Sequence, residues 1–265
     1  MTEDDLIYLK KWFSDYTKSF YSSNEEYQRN IMLKVEHTRH VCRNIIDIGR
    51  DLSLKENEMI LAETVALFHD IGRFPQYAKY KTFKDAVSVN HGLLGAKTLI
   101  QEKILGNLLP WEQELITLAV KFHSTLAVPT TVEERTKFFI KLIRDADKLD
   151  VYRVFIEFYK SPDDQKASAT AHGMPDTPGY SERMLESIKN KKIAPYSEVR
   201  NLNDFKLMKL SWVYDLNFRG TCKLLQERGY VNSLAEVLPQ TDEIINVIKN
   251  IREFISERVH NVEKV

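Results

Sequence analysis

Long stretches of the chain repeat their apolar residues every three or four positions, and this helical period most constrains the fold. Nine glycines and eight prolines in 265 residues leave these stretches largely uninterrupted. Clear period-2 alternation, which is typical of strands, is absent from the sequence. The sequence therefore predicts an all-α protein. The predicted helices span about 3–21, 25–52, 56–71, 90–104, 111–124, 133–160, 180–190, 204–228 and 241–260.

The domain organisation follows from the helices and the one long interruption between them. Residues 160–180 are polar, with three prolines and two glycines, and are predicted to form a long loop rather than a linker between domains. The helices beyond it have apolar stripes that need a partner surface. We therefore predict a single domain over residues 1–265. Capping boxes are predicted to open the second and third helices, at Ser23 with Glu26 and at Ser53 with Glu56.

Composition excludes several classes of partner and site. Lys plus Arg and Asp plus Glu both number 38, so net charge gives no reason to expect a nucleic-acid polymer or an anionic membrane surface. Cys42 and Cys222 are far apart, which argues against a disulfide framework and a cysteine zinc site. The beginning, MTEDDLIYLKKWF, does not resemble a signal peptide, and no stretch approaches the roughly 18 apolar residues of a membrane span. We expect a cytoplasmic protein.

Several potential metal ligands interrupt apolar seams. In the second predicted helix, His37 shares a face with Val41, Ile45 and Ile48, so it is predicted to point inward. The opposite face is polar and is predicted to meet water, with residues His40, Asn44, Asp47 and Asp51. His40 is therefore not predicted to be a ligand.

The same comparison with the helical spacing of apolar residues places further polar side chains on inward faces. Asp147 follows Ile143 at a helical spacing, and His123 follows Val120. His91 begins a predicted helix, while a His-Asp doublet ends the apolar run before Gly72. A lone inward histidine is more often a hydrogen-bonded core residue than a ligand. The candidates together are His37, His69, Asp70, His91, His123 and Asp147.

Six buried polar groups in one small volume would be difficult to satisfy without an ion. Histidine nitrogen and carboxylate oxygen, without thiolate, suit manganese, iron, zinc, nickel or a magnesium-like ion. The set is large enough for two divalent metal ions.

The ordered set of ligands, with its local contexts, resembles the HD superfamily of metal-dependent phosphohydrolases over about residues 30–160. Those contexts are EHTRHV, FHDIGRF, NHGLLGA, KFHS and DADKLD. The resemblance implies an HD-domain helical bundle, with residues of about 180–260 as a C-terminal extension. It implies that one ion is held by His37, His69, Asp70 and Asp147, and a second by His91 and His123, with the Asp70 carboxylate shared.

The implied activity is hydrolysis of a phosphate mono- or diester, such as a nucleotide or signalling nucleotide, by a metal-activated hydroxide. The expected partner is therefore a small molecule. Two alternatives stay open on the sequence. One is a mixed-valence diiron oxygenase of the same fold, and the other is a catalytically silent sensory or scaffold module.

Residues near the doublet are predicted to contact substrate. Arg73 would offer a planar donor fork to the phosphate, with a surface arginine at a helix end as the alternative. Lys148, next to Asp147, is a second candidate of this kind. The segment 73–85 interleaves aromatic residues with lysines, which suits either a nucleotide or an amphipathic segment with its aromatic rings packed inward.

The predicted catalytic residues are Asp70, Arg73 and Glu63. Glu63 lies two helical turns before Asp70 and would orient a metal-bound water or carry a proton, unless it is a solvated helix glutamate. Asp150 lies one turn after the ligand on its helix and would accept a hydrogen bond from a ligand imidazole. A salt bridge from Asp150 to Arg153 is the alternative.

Overall fold

The computed structural model describes residues 1–162 and 165–260, and within these ranges its regular elements are helices without strands. The all-α class is therefore confirmed. The α-helices are α1 (Glu3–Lys18), α2 (Glu25–Asp51), α3 (Glu56–Phe68), α4 (Arg73–Tyr80), α5 (His91–Gln101), α6 (Pro110–Phe122), α7 (Glu134–Lys160), α8 (Glu182–Lys189), α9 (Leu202–Ser211), α10 (Arg219–Glu227), α11 (Tyr230–Ala235) and α12 (Asp242–His260). Across the described ranges, no helix has both the length and the apolar character that crossing a membrane requires.

The contacts within the chain form two compact units. The first contains residues 1–150 and 165–172, and the second contains residues 151–162 and 173–260 of the described ranges. That the whole chain is one domain stays a prediction.

The first unit is built around α2, which packs against α3. The predicted inward face of α2 is buried, with Val41, Ile45 and Ile48 fully enclosed. One residue of the predicted polar face is also buried, because the Asn44 amide donates to the carbonyl oxygen of Ala146 at 3.0 Å. The prediction that Asn44 meets water was therefore wrong, since α2 contacts neighbours on more than one face.

The starts of α2 and α3 differ from the predicted capping boxes. Asn24 caps α2, with its side-chain oxygen accepting from the backbone N–H of Tyr27 at 2.8 Å. Lys55 precedes α3, and the Glu58 carboxylate accepts its backbone N–H at 3.3 Å. Both predicted caps were displaced, by one residue at Ser23 and by two at Ser53, because an amide or a later glutamate satisfies the free N–H groups equally well.

The segment 73–85 contains a helix, α4, that the sequence did not predict. Phe74, Tyr77 and Phe83 are buried, so these three aromatic rings of the segment pack inward. That arrangement matches the packing alternative rather than an open nucleotide-binding surface. A short 3-10 turn at Asp85–Val87 then leads towards α5, whose first turn is capped by the side chain of Asn90.

Part of the predicted loop 160–180 is fixed to α2. The buried Asn30 side chain donates to Ser168 Oγ at 3.2 Å and accepts the backbone N–H of Ala169 at 3.1 Å. Ser168 Oγ also donates to a carboxylate oxygen of Glu26 at 2.7 Å. The loop prediction also covers residues 163 and 164, which lie outside the described residues.

The second unit has its own apolar core between α8, α9, α10 and α12. Phe205, Leu225 and Ile251 are fully buried. The buried carboxylate of Asp204 accepts both the backbone N–H and the hydroxyl of Ser181, at 2.6 and 2.7 Å, and so joins the start of α8 to α9. The predicted helix 204–228 is divided between α9 and α10, with a 3-10 turn at Trp212–Asp215 between them.

Candidate metal centre

His37 projects from α2 into the core of the first unit, where its side chain is buried. Its Nδ1 donates to Asp150 Oδ2 at 2.7 Å, because an ionised carboxylate can only accept. This contact fixes the imidazole so that Nε2 faces Asp147 and Asp70. The hydrogen bond is the one predicted for Asp150, and Arg153 pairs with Glu157 at 2.6 Å.

The doublet lies where α3 ends. His69 is the C-terminal cap of α3, and its Nδ1 donates to the carbonyl oxygen of Ala66 at 2.7 Å. The next turn is crowded, since a Cβ atom on Gly72 would lie 2.2 Å from the carbonyl oxygen of His91 and 2.6 Å from the nitrogen of Gly95. Only glycine permits this close approach of the backbone after Asp70 to α5.

The remaining two histidines come from α5 and from the end of α6. His91 begins α5, and its Nδ1 donates to Asp85 Oδ2 at 2.6 Å. His123 is the C-terminal cap of α6, and its Nδ1 donates to the carbonyl oxygen of Val120 at 2.8 Å. His123 thus repeats the local geometry of His69, with a bond to the carbonyl three residues earlier.

All four histidines donate a hydrogen bond from Nδ1, so their Nε2 atoms face one another. The Nε2 atoms of His91 and His123 are 3.1 Å apart, and those of His37 and His69 are 3.3 Å apart. Burial is the main cause that lowers the pKa of both His91 and His123 to about 4, so both are neutral at pH 7. Two facing lone pairs cannot form a hydrogen bond, whereas a cation between them would satisfy both.

The two aspartates complete the set of predicted ligands. Asp70 Oδ1 lies 3.5 Å from His91 Nε2 and 3.8 Å from His123 Nε2. Asp70 Oδ2 lies 3.6 Å from His37 Nε2 and 3.7 Å from His69 Nε2. The carboxylate thus presents one oxygen to each pair of histidines.

Asp147 lies at only one of these pairs. Its Oδ1 is 3.1 Å from His37 Nε2 and 3.9 Å from His69 Nε2. We call His37, His69, Asp70 and Asp147 the α2 subsite, and Asp70, His91 and His123 the α5 subsite. Metal–ligand bonds of about 2.1 Å at right angles put neighbouring ligand atoms about 3.0 Å apart, close to these separations.

The six residues fit a pair of divalent ions by donor type, direction and spacing. Within the described residues, His37, His69 and Asp70 form one buried group able to hold an ion, and Asp70, His91 and His123 form another. The structure thus brings all six predicted ligands together. Their assignment as ligands stays a prediction, and so does the number of ions.

Electrostatics in the metal-free protein differ between the subsites. Burial and Lys34 act to lower the pKa of His37, but hydrogen bonds to Asp147 and Asp150 outweigh them and raise it to about 9. An ion that entered the α2 subsite would therefore have to displace a proton from His37 at pH 7. Burial acts to raise the pKa of Asp70, but Lys34 and neighbouring histidine and arginine groups hold it well below its ordinary value.

Two residues of the centre were missed by the sequence reasoning. Lys34 lies one turn before His37 on α2, and its Nζ donates to Asp70 Oδ2 at 2.8 Å. Asp85, which holds His91, lies in the segment 73–85. The helical spacing of Lys34 to His37 was a signal that could have been used, whereas nothing in the local sequence marks Asp85.

The predicted accessory residues have separate surroundings. Arg73 Nη1 donates to the Phe83 carbonyl oxygen at 2.6 Å and to Asp85 Oδ1 at 2.8 Å, while Arg73 Nε lies 3.4 Å from Asp70 Oδ1. The Glu63 carboxylate pairs with Lys10 of α1 at 2.5 Å. The catalytic and substrate-binding roles of Arg73 and Glu63 stay predictions.

Lys148 and His40 lie on helices that carry predicted ligands. Lys148 is buried, at 8% exposure, and its role in binding substrate stays a prediction. The His40 side chain is 33% exposed, and its Nδ1 lies 4.0 Å from Asp150 Oδ1. His40 therefore lies near the carboxylate that positions His37.

The family model of the HD domain matches residues 35–152, a range that contains all six predicted ligands. No curated protein and no solved structure matches the chain.

Proposed function

Because the chain belongs to the HD superfamily, which is typically made up of metal-dependent phosphohydrolases, we propose that it hydrolyses a phosphate mono- or diester. The substrate class that we propose is a small phosphate ester, such as a nucleotide or a signalling nucleotide. The observation that carries the proposal is that the Nε2 atoms of His91 and His123 lie 3.1 Å apart, with their lone pairs facing each other beside the Asp70 carboxylate.

We propose that each subsite holds one divalent ion, with the residues that define the subsite as its ligands. Divalent ions bound there would supply Lewis acidity, which lowers the pKa of water and neutralises charge on a phosphate ester. The Asp70 carboxylate would be shared by the two subsites, because each of its oxygens faces a different pair of histidines. Nitrogen and oxygen donors without sulfur favour manganese, iron, nickel or zinc, and magnesium less so.

Carboxylates and carbonyls behind the histidines support the proposal. Asp150 and Asp85 accept the Nδ1–H groups of His37 and His91, and they keep each imidazole in the tautomer that presents Nε2. A ligand set positioned in advance loses little conformational freedom when it binds an ion.

Accessory roles are also part of the proposal. We propose Arg73 and Lys148 as substrate contacts, and Glu63 as a residue that carries a proton or orients water. Arg73 is supported by its place beside Asp70. Glu63 would have to release its ion pair with Lys10 to act in this way.

A hydrolysis screen tests the proposed function. The protein is loaded with manganese, iron, nickel, zinc or magnesium and assayed on phosphate monoesters, diesters and nucleotides. Release of inorganic phosphate would indicate a phosphomonoesterase, and release of a nucleoside monophosphate a diesterase or pyrophosphohydrolase. Asp70→Ala serves as the inactive control. A protein that holds its ions yet hydrolyses no ester in the screen would refute the proposal.

A diiron oxygenase remains the second candidate, because two histidine pairs sharing a carboxylate also suit two iron ions. Iron stoichiometry of two per chain, an oxygen-dependent electron paramagnetic resonance signal and no phosphatase activity with manganese would favour it. The third candidate is a silent sensory or scaffold module. Less than one ion per chain, with stability unchanged by a chelator, would support that candidate.

A further inference from the structure

Lys34 places a cation inside the metal centre without being a ligand. It lies on α2 one turn before His37, and its side chain is only 15% exposed. Its Nζ donates to Asp70 Oδ2 at 2.8 Å, the same oxygen that faces His37 and His69. A charged group this close to a shared ligand must influence whatever else binds there.

The ammonium of Lys34 has hydrogen-bonding capacity left over. It carries three N–H donors, and among the described residues its only acceptor is the Asp70 carboxylate. The aromatic ring of Phe83, 5.1 Å from Nζ, shields the charge without accepting a conventional hydrogen bond. Asp70 Oδ2 has two lone pairs, so the Lys34 bond and an ion on the same oxygen are compatible.

Arg73, the other cation beside Asp70, is held differently. Its Nη1 donates to oxygens of Gln76, Phe83 and Asp85 at 2.6 to 2.8 Å. The guanidinium is therefore fixed by the protein. Lys34 is held by one hydrogen bond, so its two other donors can receive a ligand without breaking a contact to the described residues.

We propose that Lys34 binds a non-bridging phosphate oxygen of the substrate while it keeps its hydrogen bond to Asp70. This inference rests on the proposed function, since it concerns the same centre. A lysine ammonium is a compact charge that binds phosphate well, and here it lies against the carboxylate shared by both subsites. Lys34 thus adds a phosphate contact beside the ions.

Phosphate binding by the metal-loaded protein tests the inference. Inorganic phosphate is titrated by calorimetry into wild type, Lys34→Met and Lys34→Arg, and metal content is measured for each. Lys34→Met is expected to bind phosphate roughly 10- to 100-fold more weakly, the range for losing a hydrogen bond from a charged group. Lys34→Arg is expected to stay within a few-fold of wild type. All variants should retain their metal content.

Lys97→Met is the matched control, because Lys97 is an exposed lysine on α5. It should bind phosphate as wild type does. If circular dichroism shows that Lys34→Met does not fold, Lys34→Gln takes its place, because its amide can still donate to Asp70. The same loss of phosphate affinity is expected, since the positive charge is absent. The inference is overturned if the wild type binds no phosphate, if the folded Lys34 variant binds it as tightly as wild type, or if that variant loses its metal.

The failure of this inference can be told apart from failure of the proposed function. Ester hydrolysis by Lys34→Met with KM and kcat unchanged would overturn the role of Lys34 and leave the hydrolase intact. Phosphate binding that depends on Lys34, in a protein that hydrolyses no ester, would refute the hydrolase and leave Lys34 as an anion-binding residue.

Discussion

Replacing Asp85 by asparagine should weaken the α5 subsite and leave the α2 subsite almost unchanged. Asp85 Oδ1 accepts from Arg73 and Gln76, at 2.8 and 2.9 Å, and Oδ2 accepts from His91 Nδ1 at 2.6 Å. An asparagine that keeps its oxygen towards Arg73 and Gln76 turns its NH₂ group towards His91. That NH₂ group favours the His91 tautomer with the proton on Nε2, which cannot bind a metal.

The size of the effect follows from the position of Asp85 behind a ligand. Changes to such outer partners typically cost 10- to 100-fold in metal affinity, or about 1.4 to 2.7 kcal/mol. We expect a loss in this range for the α5 subsite only. Asp150→Asn should produce the reciprocal result, because Asp150 holds His37 of the α2 subsite at 2.7 Å.

Calorimetric titration of the metal-free variants with manganese would measure the affinity of each subsite. Asp51→Asn is a suitable control, since Asp51 is an exposed carboxylate at the end of α2. Equal weakening of both subsites by Asp85→Asn, or unchanged binding in both, would refute the assignment of Asp85 to one histidine.

Three further predictions concern the same centre. Asp70→Ala should abolish binding of both ions and any activity, whereas His40→Ala should keep its metal. Elemental analysis measures the metal content, and loss of metal from His40→Ala would contradict the prediction that His40 is not a ligand. Gly72→Ala should destabilise the protein by several kcal/mol, because its Cβ would lie 2.2 Å from a carbonyl oxygen of α5, and a melting temperature equal to wild type would contradict this. The metal-free protein should lose stability as the pH falls from about 6.5 towards about 4. In this range the unfolded state takes up protons on His91 and His123, whereas the folded state does not, because both pKa values are lowered to about 4. Urea unfolding at several pH values measures this loss, and a flat profile would argue against neutral, buried imidazoles.

Long helices with a regular apolar period could be predicted closely from the sequence. The bounds of α2 and α7 differ from the predicted ones by only one residue, because many buried side chains define each face. The same period predicted that His37 and Asp147 interrupt inward seams. Those residues lie at the centre, since a helix face fixes side-chain direction regardless of which helix packs on it.

Features that depend on contacts between distant segments were harder to predict. The helix α4 has eight residues and no side-chain cap, so its local signal was weak. Asp85 reaches His91 only through the turn between α4 and α5, and the buried Asn44 amide meets a carbonyl oxygen of α7, more than 100 residues away. Neither contact has a period or a spacing that a single sequence reveals.

The order of the ligands along the chain determines when each subsite can be completed during synthesis. The α5 subsite has all of its side chains once residue 123 has left the ribosome, whereas the α2 subsite waits for Asp147. A nascent chain therefore acquires its complete sites one after the other. If the subsites hold ions, metal captured early would stabilise a half-built bundle, and the α2 subsite would have its full ligand set only after the first half of α7 had been translated.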